Sequence, residues 1–260
     1  MADRLHVATR KGLFELVRGP AVWEVGDVQF LGDPVSAVLA GEDGTVYAAL
    51  DLGHFGAKLW RRDLTGTWQE LAAPAFPPKP AEAGDDPHPW SLGKIWVLEA
   101  GGVAGRLWAG TMPGGLFRSD DSGQSWALNE PLWFMPERQR WSGVAGGEQP
   151  GIASVLVDPR DPTDIRIGVS CAGLWASTDT GATWQIINHG MYNEYMPLER
   201  PRGSDRPGHP SSVALRCAPG DRLVPAPQWR LPLRERGGQL ARADGDPPVK
   251  VWLCGRRPPA

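Results

Sequence analysis

Arg10, Asp51, His54, Glu194 and Tyr195 are the side chains of this 260-residue chain whose types and settings could carry out chemistry. His54 lies in the run Asp51-Leu52-Gly53-His54-Phe55-Gly56. There an imidazole can move a proton or touch a substrate, and a hydrogen-bonded structural histidine is an equal alternative. Arg10 closes the first apolar stretch, where a guanidinium can clamp a carboxylate through two parallel hydrogen bonds or stand exposed without a partner. Residues 191–200 form the densest polar and aromatic cluster, with Glu194 beside Tyr195 and with Tyr192 and Arg200 as further substrate contacts. A loop pinned by two aromatics is the plain alternative. Trp133 and Trp141, with Arg138 between them, offer apolar ring faces for a sugar, although with 13 Trp in the chain most indoles must serve packing. The histidines after His6 are too widely spaced for a metal-ligand set, and Cys171, Cys217 and Cys254 stand at unrelated positions. Neither a metal, a disulfide framework nor a cofactor is expected.

What must position these groups is a repeat. Ser119-Asp120-Asp121-Ser122-Gly123-Gln124-Ser125-Trp126 recurs as Ser177-Thr178-Asp179-Thr180-Gly181-Ala182-Thr183-Trp184, both reading Ser-x-Asp-x-Gly-x-Ser/Thr-Trp. Gly-Leu-aromatic precedes each (115–117 and 173–175) and apolar residues follow, so each octet is a turn between two short strands. Asp121 and Asp179 can accept backbone N–H groups two residues on, Gly123 and Gly181 supply a positive φ, Ser119 and Ser177 cap the turn, and Trp126 and Trp184 lay an apolar ring under it. A degraded copy, 61–68, keeps Asp63 and Trp68 but has its Gly displaced by one.

Around the turns runs a longer repeat of strand pairs: 35–39 with 46–50, 95–98 with 107–110, and 152–157 with 165–169. The N-terminus adds a partial unit, 5–10, 12–14 and Trp23. Four strands per unit of about fifty residues match a propeller blade. The expected fold is all-β: an incomplete propeller of four-stranded antiparallel blades over 1–210, an open ring of about four blades, followed by a disrupted next blade or irregular tail over 211–260. Residues 224–260 hold seven Lys or Arg against three acids, whereas 1–223 hold 20 against 27. A reading-frame slip near Leu223 accounts for that change, since the shifted frame can spell another Ser-Trp octet. A disordered Pro/Arg-rich tail is the rival.

In a four-stranded meander the first and third turns share one face, and the remaining connections collect on the other. The octets therefore occupy a structural face. The opposite face receives 9–11, 51–56, 111–114 and 170–172, together with the long inter-blade segments 73–93, 130–151 and 189–211, and it is where chemistry is expected. With 33 Gly and 26 Pro, a net charge of −3 and no long apolar run, neither nucleic acid nor a membrane is an expected partner. The start Met1-Ala2-Asp3-Arg4-Leu5-His6 is not a signal peptide, so a soluble cytoplasmic protein is expected.

The two octets are the pattern called the Asp-box or BNR repeat, and the chain resembles the sialidase-like BNR propellers over about residues 1–210. The resemblance implies a glycoside hydrolase-type protein, exo-sialidase-like, acting on or binding a glycan. Such an enzyme sets three arginines on the substrate carboxylate, an acidic Asp, and a Tyr activated by a Glu. Here Thr9-Arg10-Lys11-Gly12 stands in place of a Phe/Tyr-Arg-Ile-Pro segment, and the later members would fall in the region that is missing or scrambled. The alternative is a non-enzymatic binding or assembly-factor propeller that presents its loop face to a protein partner, as in the photosystem II assembly factor.

Overall fold

The computed structural model describes residues 3–141, 143, 149–170 and 172–188. These fall within one compact unit, Asp3–Ser211. Four antiparallel sheets follow one another along the chain. The first has three strands, β1 (Arg4–Thr9), β2 (Gly12–Arg18) and β3 (Trp23–Gln29). The second holds β4 (Val35–Ala40), β5 (Val46–Asp51), β6 (Ala57–Arg62) and β7 (Trp68–Leu71). The third holds β8 (Lys94–Ala100), β9 (Leu107–Met112), β10 (Leu116–Ser119) and β11 (Ala127–Leu128). The fourth holds β12 (Ile152–Asp158), β13 (Asp161–Val169), β14 (Gly173–Ser177) and β15 (Gln185–Ile186). Each is a meander, and β1, β4, β8 and β12 lie side by side, so the sheets are successive propeller blades as their sequence pattern predicts. The expected tail over 211–260 lies outside the described residues.

The blades adhere through their sheet faces. Strands β5, β9 and β14 are buried almost throughout, which calls for apolar residues on both sides and small ones where sheets come close. Tyr47, Ala49 and Leu59 of the second blade pack with Ile95, Leu98, Leu107, Ala109 and Phe117 of the third. Trp108 and Leu116 of the third pack with Ile152, Val155, Ile165, Ile167 and Trp175 of the fourth. Gly110 shows how tight this second seam is: a Cβ there would stand 2.7 Å from both Ile152 and Val97 side chains.

Each Asp-box is a closed hydrogen-bond circuit. Ser119 Oγ donates to Asp121 Oδ1 (2.7 Å) and accepts from the Gly123 amide (2.8 Å), while Asp121 Oδ1 accepts from the Ser125 amide (2.9 Å). Ser177, Asp179, Gly181 and Thr183 reproduce it at 2.7, 2.8 and 2.8 Å. The carboxylate thus reaches the amide four residues on, rather than two as expected, in a turn shaped by two successive left-handed residues, Ser122 (φ 61°) with Gly123 (87°) and Thr180 (60°) with Gly181 (86°). The degraded copy has Gly66 alone in that region, and Asp63 accepts from both the Thr65 and Thr67 amides at 2.9 Å. Two further Asp-x-Thr turns repeat the short form at Asp43 and Asp161. The indoles stitch blades together: Trp126 Nε1 donates to the Ala72 carbonyl (3.1 Å), and Trp184 Nε1 to Asn129 Oδ1 (3.1 Å).

The first blade differs from the rest. Its Leu13 packs with Val35, Ala48 and Leu50, and Glu15 accepts from Arg4 (3.0 Å) and from Arg62 of the second blade (3.4 Å). On its other face, strand alternation and register align Val7, Phe14 and Val28 in one row and Leu5, Leu16 and Val25 in the next. That face is half open, with Val25 61% exposed, whereas the equivalent residues Leu107, Ala109 and Phe117 of the third blade are buried.

Two outcomes follow. The Ser125 hydroxyl and amide and the Ser119 hydroxyl hold Asp121 at about 2, and the Thr183 hydroxyl and amide with Ser177 do the same for Asp179. Both carboxyls are depressed in the folded state. Their contribution is therefore complete above pH ~4, the unfolded value, and is lost as pH falls through about 2. Thermal melts should show parent stability falling across that window, and Asp121→Asn with Asp179→Asn should melt lower at neutral pH and flatten the dependence. Separately, the open face of the first blade should drive concentration-dependent self-association, and Phe14→Asp with Leu16→Lys should abolish it in sedimentation velocity.

Candidate functional site

Hydrogen bonds between connections establish which turns share a face. The Ser122 amide donates to Gly105 O (2.8 Å) and the Thr180 amide to Thr163 O (3.1 Å), which joins each Asp-box to the first turn of its own blade. At the other end, the Asp51 amide donates to Pro34 O (2.9 Å), Gly93 to Met112 O (2.9 Å) and Ser170 to Gly151 O (2.8 Å). The connections after β5, β9 and β13 therefore gather with the inter-blade segments, as the meander argument predicts. This is the loop face.

Of the expected catalytic residues, Arg10 is exposed on the β1–β2 turn. His54 is exposed in a single 3-10 turn, Gly53–Phe55, where its ring lies 4.0 Å from that of Phe55. Asp51 accepts from the Gly53 amide (3.4 Å) and so holds the start of that turn. These three share the loop face without a hydrogen bond to one another. Glu194, Tyr195, Tyr192 and Arg200 lie outside the described residues.

Trp133, Arg138 and Trp141 are corrected from substrate contacts to supports. They are 1%, 3% and 3% exposed, because the segment folds inward as helix α1 (Glu130–Trp133) and a 3-10 turn, Pro136–Arg140. The Arg138 guanidinium lies 3.9 Å from the Trp133 ring centroid, Phe76 and Trp90 pack against the same ring, and Trp141 packs on Trp175. No ring face of Trp133 is left for a sugar. Asn129 starts this segment by accepting from the Leu132 amide (3.1 Å), and its Nδ2 donates to the Gly181 carbonyl (2.9 Å) of the next Asp-box.

The partner of Arg138 is Asp86, which the candidate set omitted. Its carboxylate takes Arg138 Nη2, the Trp90 indole N–H (3.0 Å) and the His88 amide (3.0 Å), while Arg138 Nε donates to the Trp133 carbonyl. The two side chains are 2% and 4% exposed. Burial alone would push the Asp86 carboxyl up, but Arg138, the His88 amide and Trp90 together hold it below the usual carboxylate range. His88, itself buried, lies 3.0 Å from the Arg138 carbonyl through Nε2 and 3.2 Å from Gln149 through Nδ1. The signal was the alternating run Asp86-Pro87-His88-Pro89-Trp90. There the Asp86 carboxylate accepts from the amide two residues on and the indole four residues on, which bends the short run around it. Chemically the cluster is a clamp between two of the long inter-blade segments, the one before β8 and the one after β11.

The other carboxylates tied into turns, Asp43, Asp63, Asp121, Asp161 and Asp179, belong to the Asp-box face. Glu99, whose carboxyl burial pushes up, also sits at that end of β8. Among the described residues no three His, Cys, Asp or Glu side chains gather as a metal-ligand cluster.

No family model matches the chain. It is 28% identical over 162 residues to the xyloglucanase Xgh74A of Acetivibrio thermocellus, a match that covers 58% of this chain and 17% of the relative. Among solved structures it is similar to the GH74 xyloglucanase from Xanthomonas campestris (19% identity, 70% of this chain and 27% of that one, TM-score 0.48). It is also similar to YCF48 from Cyanidioschyzon merolae (14% identity, 71% and 53%, TM-score 0.43). The likeness is distant, and the chain spans about a sixth of the length of the curated relative.

Breaking the clamp from one side should be costly. Arg138→Met or Asp86→Leu alone should lower the unfolding free energy by about 3–5 kcal/mol, because each strands a buried charge, whereas the double replacement should recover much of the loss. Denaturant titrations of the four proteins close that cycle.

Proposed function

We propose that this chain is a propeller module that binds a neutral β-glucan of the xyloglucan kind on its loop face, as part of a glycan-active protein, and does not hydrolyse the glycan by itself. The observation that carries the reading is the 162-residue similarity to a xyloglucanase, which spans only 17% of that enzyme. Glycoside hydrolysis calls for two carboxyl groups flanking the bond, one of them kept protonated. On the loop face Asp86 is committed to Arg138 and held ionised, the opposite of a general acid. A sialidase-type clamp also draws little support from the described residues, where Arg138 is taken by Asp86 and Arg10 stands exposed on a separate turn. A neutral glucan requires no such clamp.

A protein-binding reading has one observation in its favour: Leu31 and Phe55, on connections of the loop face, are 77% and 72% exposed. Affinity electrophoresis separates the two. Retardation of the chain in gels cast with xyloglucan, with no release of reducing ends on prolonged incubation, is the expected result. Unretarded migration in xyloglucan and in other soluble glucans would remove the glycan reading, and release of oligosaccharides would remove its non-catalytic half.

A further inference from the structure

Resting on the glycan-binding reading, we propose that Trp90 and Phe134 form a shelf on which one pyranose ring of the glucan stacks. Trp90 comes from the segment between β7 and β8, and Phe134 from the end of α1, so the shelf bridges two inter-blade connections of the loop face. The ring centroids are 5.7 Å apart with planes inclined by 51°. Phe134 is 51% exposed, although its neighbours Leu132 and Trp133 are buried. The short helix thus points two large side chains inward and one outward.

The outward ring is backed by fixed structure. Trp90 packs edge-on against Trp133 (5.3 Å, 86°), and its indole N–H is taken by Asp86. Asp86 also holds Arg138, which lies on the Trp133 ring. Through this series a buried ion pair sets the orientation of two aromatics at the surface. Asp86 and Arg138 are positioning residues, and Trp90 and Phe134 are the contacts. A platform ordered before the ligand arrives has little side-chain entropy left to lose on binding. A pyranose fits such a surface because its C–H face is apolar while its hydroxyls project at the edge. Exposed Asp85, Glu137 and Gln139 on the same two segments supply acceptors and a donor for those hydroxyls.

The experiment titrates the full chain with xyloglucan oligosaccharide, read by intrinsic tryptophan fluorescence and by affinity electrophoresis. Phe134→Ala should weaken binding roughly three- to tenfold, as expected for loss of one stacking contact, and Phe134→Tyr should restore it. Phe55→Ala should leave it unchanged, and Trp90→Phe should abolish the ligand-induced fluorescence change. Because the Phe134 side chain is largely in solvent, its alanine variant should melt with the parent, which separates lost contact from lost fold. If Phe134→Ala binds as tightly as the parent, the shelf is wrong while glycan binding stands. If the parent binds no glucan at all, both readings fall together.

Discussion

A twisted sheet with strands of two to nine residues has two faces to cover and little interior of its own, so blade-to-blade contact is the constraint on which this molecule depends. The seams are built from paired unlike surfaces. Small residues such as Ala49, Ala109 and Gly110 set the approach, and Tyr47, Phe117, Trp108 and Trp175 fill what remains. Gly110 cannot carry a side chain without displacing Ile152 and Val97, which makes the seam between the third and fourth blades a fit of shape as well as of hydrophobicity. On the first sheet, where no further blade among the described residues covers the face, Leu5, Val7, Phe14 and Leu16 stay partly in solvent.

Seam geometry also explains the division of polar groups. On one face, acids are consumed by the chain's own turns: Asp121 and Asp179 saturate their oxygens with hydroxyls and amides of the same octet. These turns fix the register of the strands they join, and Trp126 and Trp184 carry the order across to the preceding blade. The other face has long connections with no ladder to satisfy them. There, among the described residues, the buried pair Asp86 and Arg138 gathers an amide, a carbonyl, an indole and an aromatic face around itself. A buried pair of this kind adds little net stability relative to apolar packing. Its effect is to select one arrangement of two segments that would otherwise have many, and so to give the loop face a defined surface.

The repeat was legible because it is local. Asp-turn chemistry, the Gly at positive φ and strand alternation are each decided within a few residues, and from them followed the blades, a partial unit at the N-terminus and the sorting of turns to two faces. What the octets do across blades was not legible: the amide four residues from each Asp, and the indole N–H bonds to Ala72 and Asn129, depend on how far the turn curls and on which blade lies beside it.

The candidate site was legible only in outline. Sequence alone determined that the long segments carrying Trp90, Trp133, Arg138 and Trp141 meet on the face opposite the octets, since strand direction alternates whatever the side chains do. Only the tertiary structure decided which of those side chains face solvent. Irregular segments have no period from which an inward or outward phase can be read, so burial there is set by partners from distant positions. Asp86, 52 residues from Arg138, draws that guanidinium and Trp133 inside and leaves Phe134 at the surface.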